Sequence, residues 1–261
     1  MSQLLLVVDV GNTQTHFGVF EPGADQVREH WRFATVREST ADELGATIQA
    51  LLRLRSLQLG DIGRSIVSST VPQLSEQWLR MGVRYLGHET LVVGPTLKTG
   101  MPIRIDNPRE VGADRLVNSV AAYDRVGDAC VIVDFGTAIT YDAVSADGEY
   151  LGGIITPGVE ISLDALSERA ARLGRVEFAE PRALIGKSTV EAIRSGIAYG
   201  FAGQVNGIVT RLRAELGQDT RVIATGGFSG RMLPYLRETI DELDEFLTLT
   251  GLRLIWERNR G

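Results

Sequence analysis

The feature that most constrains the fold is an apolar strand that carries an aspartate into a glycine turn, and it occurs twice. Residues 4–15 read LLLVVDVGNTQT, in which Asp9 ends the apolar run. Residues 131–140 read VIVDFGTAIT and repeat the pattern with Asp134. Such a run followed by a polar turn is typical of a β-hairpin with its chemistry at the tip. Two tips predict two related halves that face a common cleft.

The segments between the tips predict an α/β protein in which two βββαβαβα halves each carry a mixed sheet covered by helices. Capping boxes are expected at Thr40 with Glu43 and at Ser188 with Glu191, each opening a helix. The later elements are predicted as helices over 161–173 and 188–217, a strand over 221–224, and a helix pair over 232–242 and 248–258. The predicted domains are 1–127 and 128–261, with the last helix able to pack back on the first half.

Composition argues against several classes of partner. The 261 residues include 33 acidic and 27 basic side chains, a net charge of −6, with no basic block typical of a nucleic-acid surface. The single cysteine, Cys130, lies in an apolar strand, which fits a reduced thiol in a reducing compartment. No apolar run reaches the roughly 20 residues of a membrane span, and the N-terminus does not resemble a secretory signal. We expect a cytoplasmic protein that binds neither nucleic acid nor membrane.

The common nucleotide-binding and catalytic motifs do not fit this chain. Gly186-Lys187-Ser188 resembles the end of a P-loop, but Pro181 stands where that motif needs glycine. There is no G-x-G-x-x-G fingerprint, no G-x-S-x-G elbow and no histidine spacing typical of a metal site. The two aspartate tips and Gly226-Gly227 remain; each alone could be an ordinary turn, but together they predict a phosphate and cation clamp.

The ordered motifs resemble those of the type III pantothenate kinase family. They are DVGNT (9–13), DNPREVGADR (106–115), VDFGTA (133–138), GGIITPG (152–158), IGKST (185–189), ATGG (224–227) and LRLIWERN (252–259). The likeness covers almost the whole chain. It implies the duplicated ribonuclease H-like fold of the actin, sugar-kinase and Hsp70-like ATPases, with a nucleotide cleft between two halves.

The resemblance also implies where ATP and its cations bind. The first phosphate loop would be Asp9, Val10, Gly11, Asn12, Thr13, Gln14, Thr15 and His16. Asp9 would lie near Mg²⁺ and Thr13 near phosphate, while Thr137 would make the second phosphate contact. Asp134 would bind a monovalent cation, K⁺ or NH₄⁺. The alternatives are a simple hairpin turn at the first tip and a turn-capping aspartate at the second.

Asp114 is the predicted general base, accepting the proton of the substrate hydroxyl in line with the γ-phosphate. The alternative is a carboxylate at a helix start that only stabilises the helix dipole. The guanidinium of Arg115 suits the carboxylate of pantothenate, and Gly112 and Ala113 complete this segment by similarity. Thr189 resembles a second substrate contact, although a threonine can stand at a helix start by chance.

Three positions depart from the family pattern. Ile105 stands where many members carry a tyrosine that approaches the substrate, and Gln14 and Ile139 replace commoner residues. A glycine stripe at Gly196, Gly200, Gly203 and Gly207 predicts a close helix neighbour, either within the chain or in a homodimer, and the family resemblance favours the homodimer. The expected activity is ATP-dependent phosphorylation of pantothenate. The alternatives are a kinase of another small hydroxy acid or sugar, and a non-catalytic nucleotide-binding regulator.

Overall fold

The structure is a computed structural model that describes residues 3–94, 97–169 and 176–260. Its strands are β1 (Leu4–Val10), β2 (Gln14–Phe20), β3 (Glu29–Ala34), β4 (Ile62–Ser69), β5 (Leu91–Val92), β6 (Cys130–Phe135), β7 (Ala138–Val144), β8 (Tyr150–Pro157), β9 (Arg221–Thr225) and β10 (Glu242–Leu243). Its α-helices are α1 (Ala41–Arg53), α2 (Pro72–Met81), α3 (Ala113–Val126), α4 (Val159–Arg169), α5 (Thr189–Leu216), α6 (Ser229–Met232) and α7 (Leu247–Asn259). Short 3₁₀ turns cover Leu59–Asp61, Pro108–Glu110 and Leu233–Tyr235, and a π-helical turn covers Gly82–Leu86.

The strands form two sheets with the same topology. One has the order β3-β2-β1-β4-β5 and the other the order β8-β7-β6-β9-β10. In both sheets the first two pairings are antiparallel and the last two are parallel. The duplication predicted from the two aspartate tips is therefore confirmed at the level of strand order and direction.

The chain divides into two compact units. The N-terminal unit contains Met1–Met101, Asp106–Ala121 and Phe246–Gly261, and the C-terminal unit contains Pro102–Ile105 and Ala122–Glu245. Helix α7 lies in the N-terminal unit, where it packs against β1 and β4. The sequence-based domain boundary after residue 127 stays a prediction.

Each unit has its own apolar core on one face of its sheet. In the N-terminal unit, Val8 and Phe17 pack with Trp78 of α2, and all three are fully buried. In the C-terminal unit, the side chains of Val133 and Val205 are fully buried in the corresponding core. Burying a large apolar side chain contributes about 1.5–3 kcal/mol, so each of these residues stabilises its unit. Val7 and Ile132, on the opposite faces of β1 and β6, are fully buried as well, so both faces of each central strand are covered.

One predicted helix start is confirmed in full and the other in part. The Thr40 backbone N–H donates to the Glu43 carboxylate at 2.8 Å, and the Thr40 hydroxyl accepts from the Glu43 N–H. At the start of α5 the Ser188 hydroxyl accepts from the Glu191 N–H at 3.2 Å. The Glu191 carboxylate instead accepts from Arg182 and Arg194, so it does not complete a capping box.

The predicted helix over 232–242 is wrong. The chain forms α6, a 3₁₀ turn and then β10 in this region. Pro234 lacks an N–H, and the backbone N–H groups of Asp241 and Asp244 donate to β9, which draws the segment into the sheet. The predicted helix over 161–173 corresponds to α4; residues 170–173 lie outside the described part of the chain. In the described residues of the second half, α4 and α5 follow β8 in succession, whereas the first half has one helix at this point.

Candidate active site

The first tip lies at the end of β1 in the N-terminal unit. Asp9 is the second-last residue of β1, and β2 begins at Gln14. The Gly11 N–H donates to the Gln14 carbonyl at 3.1 Å, and a Cβ on Gly11 would lie 3.0 Å from the same oxygen. The Thr13 carbonyl accepts from the Thr35 N–H at 2.9 Å, which ties the turn to β3. Glycine therefore allows the tight turn that presents Asp9 and Thr13 together.

A row of polar residues crosses four strands at Asp9. Pairing of adjacent strands places His16 opposite Asp9, Arg32 opposite His16, and Ser68 opposite Asp9 on its other side. Residues paired in register point to the same face of a sheet, so the four form one row. Burial, with the charge of Arg32 and the ring of His30 beside it, lowers the pKa of His16 to about 3. The imidazole next to Asp9 is therefore neutral at pH 7.

The second tip lies in the C-terminal unit and is built in the same way as the first. Asp134 is the second-last residue of β6, and the Gly136 N–H donates to the Ala138 carbonyl at 3.0 Å. A Cβ on Gly226 would lie 2.3 Å from the Asp134 carboxylate oxygen Oδ1. Gly226 also has a positive φ of 92°, which favours glycine. The Gly-Gly loop after β9 therefore comes directly against the Asp134 carboxylate.

The predicted base lies at the start of α3. Asp114 is the second residue of that helix, and burial raises the pKa of its carboxyl group. The backbone N–H of Arg115 and the Arg115 charge act in the opposite direction but do not cancel this effect. A Cβ on Gly112 would lie 2.6 Å from the Asp114 oxygen Oδ1, so Gly112 makes room for the carboxylate. A carboxylate whose pKa is raised is a better proton acceptor than one with an ordinary pKa.

The remaining substrate positions lie on the surface of the C-terminal unit. Thr189 is exposed at the first residue of α5. Ile105 is half-buried, and a Cβ on Gly152 would lie 3.2 Å from its Cγ2 atom. Ile105 thus lies beside β8 at a glycine.

The structure groups the predicted residues within each unit. The N-terminal unit holds the loop from Asp9 to His16 and the segment from Gly112 to Arg115; the C-terminal unit holds Asp134, Thr137 and Thr189. Sequence reasoning missed Ser68 and Arg32, because only strand register brings them beside the first tip. Across residues 3–94, 97–169 and 176–260, there is no group of three or more His, Cys, Asp or Glu side chains that could hold a metal ion by themselves. Within the same residues, no helix is long and apolar enough to cross a membrane.

The duplicated fold defines the class of protein. A solved structure of an inorganic polyphosphate/ATP-glucomannokinase from Arthrobacter sp. strain KM superposes with a TM-score of 0.51 at 16% identity, over 98% of each chain. At that identity the likeness concerns the fold alone. Two mixed sheets of matching topology, each with an aspartate at the tip of its first hairpin, place this chain in the actin-like ATPase and sugar-kinase fold class.

Sequence comparison identifies the family. The profile of the type III pantothenate kinase family matches residues 5–211. A type III pantothenate kinase from Moorella thermoacetica is 50% identical over 256 residues, covering 98% of this chain and all of the relative. Another, from Streptomyces avermitilis, is 50% identical over 264 residues and 98% of each chain. The chain belongs to the type III pantothenate kinase family.

Proposed function

We propose that this protein transfers the γ-phosphoryl group of ATP to the primary hydroxyl of pantothenate, giving 4′-phosphopantothenate, the first step of coenzyme A synthesis. The observation that carries the proposal is the half-buried Asp114 at the start of α3, whose carboxyl pKa is raised, in a chain that is 50% identical to type III pantothenate kinases over nearly its full length. In the reaction the hydroxyl oxygen forms a bond to the γ-phosphorus, and its proton passes to the Asp114 carboxylate. The bond to the β-phosphate oxygen breaks, and ADP leaves with the electron pair.

Two features of the described residues support the role of Asp114. Burial raises the pKa of its carboxyl group, which moves its basicity toward the working pH. Its position in the first turn of α3 favours the ionised form that a base needs at pH 7. Arg115 follows it in the same turn and is assigned to the carboxylate of pantothenate, because a guanidinium binds carboxylates through two parallel hydrogen bonds. Gly112, Ala113 and Thr189 complete the proposed substrate site.

The proposed ATP site consists of the loop from Asp9 to His16 together with Thr137. Asp9 would hold Mg²⁺, since a carboxylate oxygen is the kind of ligand that suits a hard cation with bound water. When bound, Mg²⁺ neutralises the charge of the transferring phosphates. Thr13 and Thr137, each in a glycine turn, would donate hydroxyl hydrogen bonds to phosphate oxygens.

Asp134 is proposed as the ligand of a monovalent cation, K⁺ or NH₄⁺. The supporting observation is that Gly226 lies directly against the Asp134 carboxylate, where a Cβ would come within 2.3 Å of its Oδ1 atom. Any larger residue at position 226 would displace this carboxylate, so glycine is required for it to keep its position. Alkali ions prefer oxygen ligands of this kind.

The protein is proposed to act as a homodimer in the cytoplasm. Beta carbons on Gly196, Gly200 and Gly203 of α5 would meet nothing within 4 Å among the described residues, so no described helix of the same chain explains the stripe. Tyr199, on the same helix, is 43% exposed. A second copy of α5 would pack closely against the glycine stripe and would cover Tyr199. The cytoplasmic location rests on Cys130, a buried free thiol whose pKa burial raises to about 12.

The test is ADP release from MgATP with pantothenate and with a panel of other hydroxy acids and sugars, in K⁺ and in Na⁺. The proposal expects turnover with pantothenate that is faster in K⁺. Turnover with a different acid or sugar, but not with pantothenate, would instead support another kinase activity. ATP binding without turnover of any acceptor would support a non-catalytic regulator.

A further inference from the structure

Ser68 lies beside Asp9 in the sheet of the N-terminal unit. It stands in β4, in parallel register with Asp9 of β1, and its side chain is fully buried. In the parts of the chain that the structure describes, its hydroxyl makes no hydrogen bond. Parallel strands lie about 4.8 Å apart, so two short side chains in register can reach each other by rotation about their Cα–Cβ bonds.

A buried hydroxyl without a partner is unfavourable, because it loses its bonds to water and gains none in return. Ser65, three residues earlier in the same strand, shows the usual solution. Its hydroxyl lies 2.9 Å from Nε2 of His88 and 2.7 Å from the Thr90 hydroxyl. An alanine at position 68 would avoid the free-energy cost of the buried, unpaired hydroxyl and would fill almost the same volume. The serine at this position is therefore explained better by a ligand-bound state than by the fold.

The second half of the chain repeats the arrangement. Thr225 of β9 is in parallel register with Asp134 of β6, as Ser68 of β4 is with Asp9 of β1. Thr225 is also almost completely buried. Each half thus places a short hydroxyl side chain on the parallel strand next to its tip aspartate. The repetition indicates that the hydroxyl belongs with the aspartate.

We infer that Ser68 is a positioning residue for Asp9: its hydroxyl donates a hydrogen bond to the Asp9 carboxylate when that carboxylate binds the divalent cation of MgATP. The inference rests on the proposed function, in which Asp9 holds the cation. A bond donated to one carboxylate oxygen fixes the rotation of the group and turns the other oxygen toward the metal. Because Ser68 makes no such bond in the structure, it contributes to the cation complex and not to folding.

The test measures ATP affinity of the full chain by isothermal titration calorimetry, with Mg²⁺ and with EDTA. For Ser68→Ala we expect the affinity for MgATP to fall by about tenfold or more, the effect of one hydrogen bond to a charged group. The affinity for metal-free ATP should not change. The melting temperature of the ligand-free variant should equal or exceed that of the wild type. A melting temperature lowered as much as by Ser65→Ala would show that the hydroxyl has a structural partner, and would overturn the inference.

Three variants separate the possible causes. Ser65→Ala is the matched control and should lower the melting temperature while leaving MgATP affinity unchanged. Ser68→Thr keeps the hydroxyl, as Thr225 does in the second half, and should retain MgATP affinity within about twofold of the wild type. Asp9→Asn should abolish the gain in affinity from Mg²⁺. If Asp9→Asn abolishes the gain in ATP affinity from Mg²⁺ and Ser68→Ala keeps it, the role inferred for Ser68 is wrong. If both variants keep the gain, the assignment of Asp9 in the proposed function is wrong.

Discussion

Gly251 of α7 packs against α3, the helix that carries the proposed base. A Cβ at this position would lie 2.2 Å from the carbonyl oxygen of Val117 and 2.8 Å from its Cγ1 atom. A hydrogen bond from Thr248 to Asn118, at 2.7 Å, joins the same two helices. The backbones of α7 and α3 therefore cross in close contact, one turn from Asp114.

Replacing Gly251 with alanine should force the two helices apart. Carbon and oxygen normally approach to about 3.3 Å, so the methyl group requires a shift of about 1 Å. Overpacking of this kind costs about 1–3 kcal/mol, and a backbone neighbour that cannot rotate away favours the upper end. The better helix propensity of alanine returns about 1 kcal/mol. We expect a net loss of about 2 kcal/mol in the free energy of unfolding.

The shift should also affect catalysis, because α3 carries Asp114 and Arg115 in its first turn. A displacement of about 1 Å can cost up to about 100-fold in rate. Urea denaturation followed by circular dichroism measures the stability, and ADP release measures the rate. Gly60→Ala is the control in the same unit, since a Cβ there meets no described atom within 4 Å. If Gly251→Ala behaves like Gly60→Ala in both assays, the close crossing and its link to Asp114 are refuted.

Three further predictions test other parts of the account. Gly203→Ala should stabilise an isolated helix by about 1 kcal/mol but should weaken a dimer that packs on α5. Light scattering at low protein concentration should then show monomers. An unchanged dimer would exclude that interface. Asp134→Ala should remove the stimulation of ADP release by K⁺ over Na⁺, and a variant that keeps the stimulation would clear Asp134 of this role. Burial lowers the pKa of His88, so below pH 6.5 the unfolded chain binds more protons than the native state. The contribution of His88 to the free energy of unfolding is therefore full above pH 6.5 and declines in more acidic solution. His88→Gln should therefore flatten the fall in unfolding free energy between pH 7 and 5, and an unaltered slope would contradict the assignment.

The elements that the sequence predicted well are those whose ends are set by local chemistry. Asp9 and Asp134 each close an apolar run before a glycine turn, and Thr40 caps its own helix, so these features need only neighbouring residues. The helix predicted from Met232 to Glu242 was wrong because the apolar spacing of this segment suits a helix. Hydrogen bonds to β9, about 20 residues earlier in the chain, decide its structure instead.

Parts of the candidate site could not be predicted for the same physical reason. Strand register alone brings Ser68 beside Asp9, and register depends on the whole sheet. The crossing at Gly251 also involves two helices far apart in the chain. The predicted roles of Asp114, Asp134 and Thr189 came from the family resemblance and stay predictions about chemistry.

The central claim is that Asp114 accepts the proton of the attacking hydroxyl, and a single-turnover measurement with Asp114→Asn tests it most directly. The variant, premixed with MgATP and pantothenate at saturating concentration, should transfer phosphate at least about 100-fold more slowly than the wild type, the usual contribution of a general base. Its ATP affinity, measured by calorimetry on the same sample, should be unchanged. A transfer rate within a few-fold of the wild type would contradict the account.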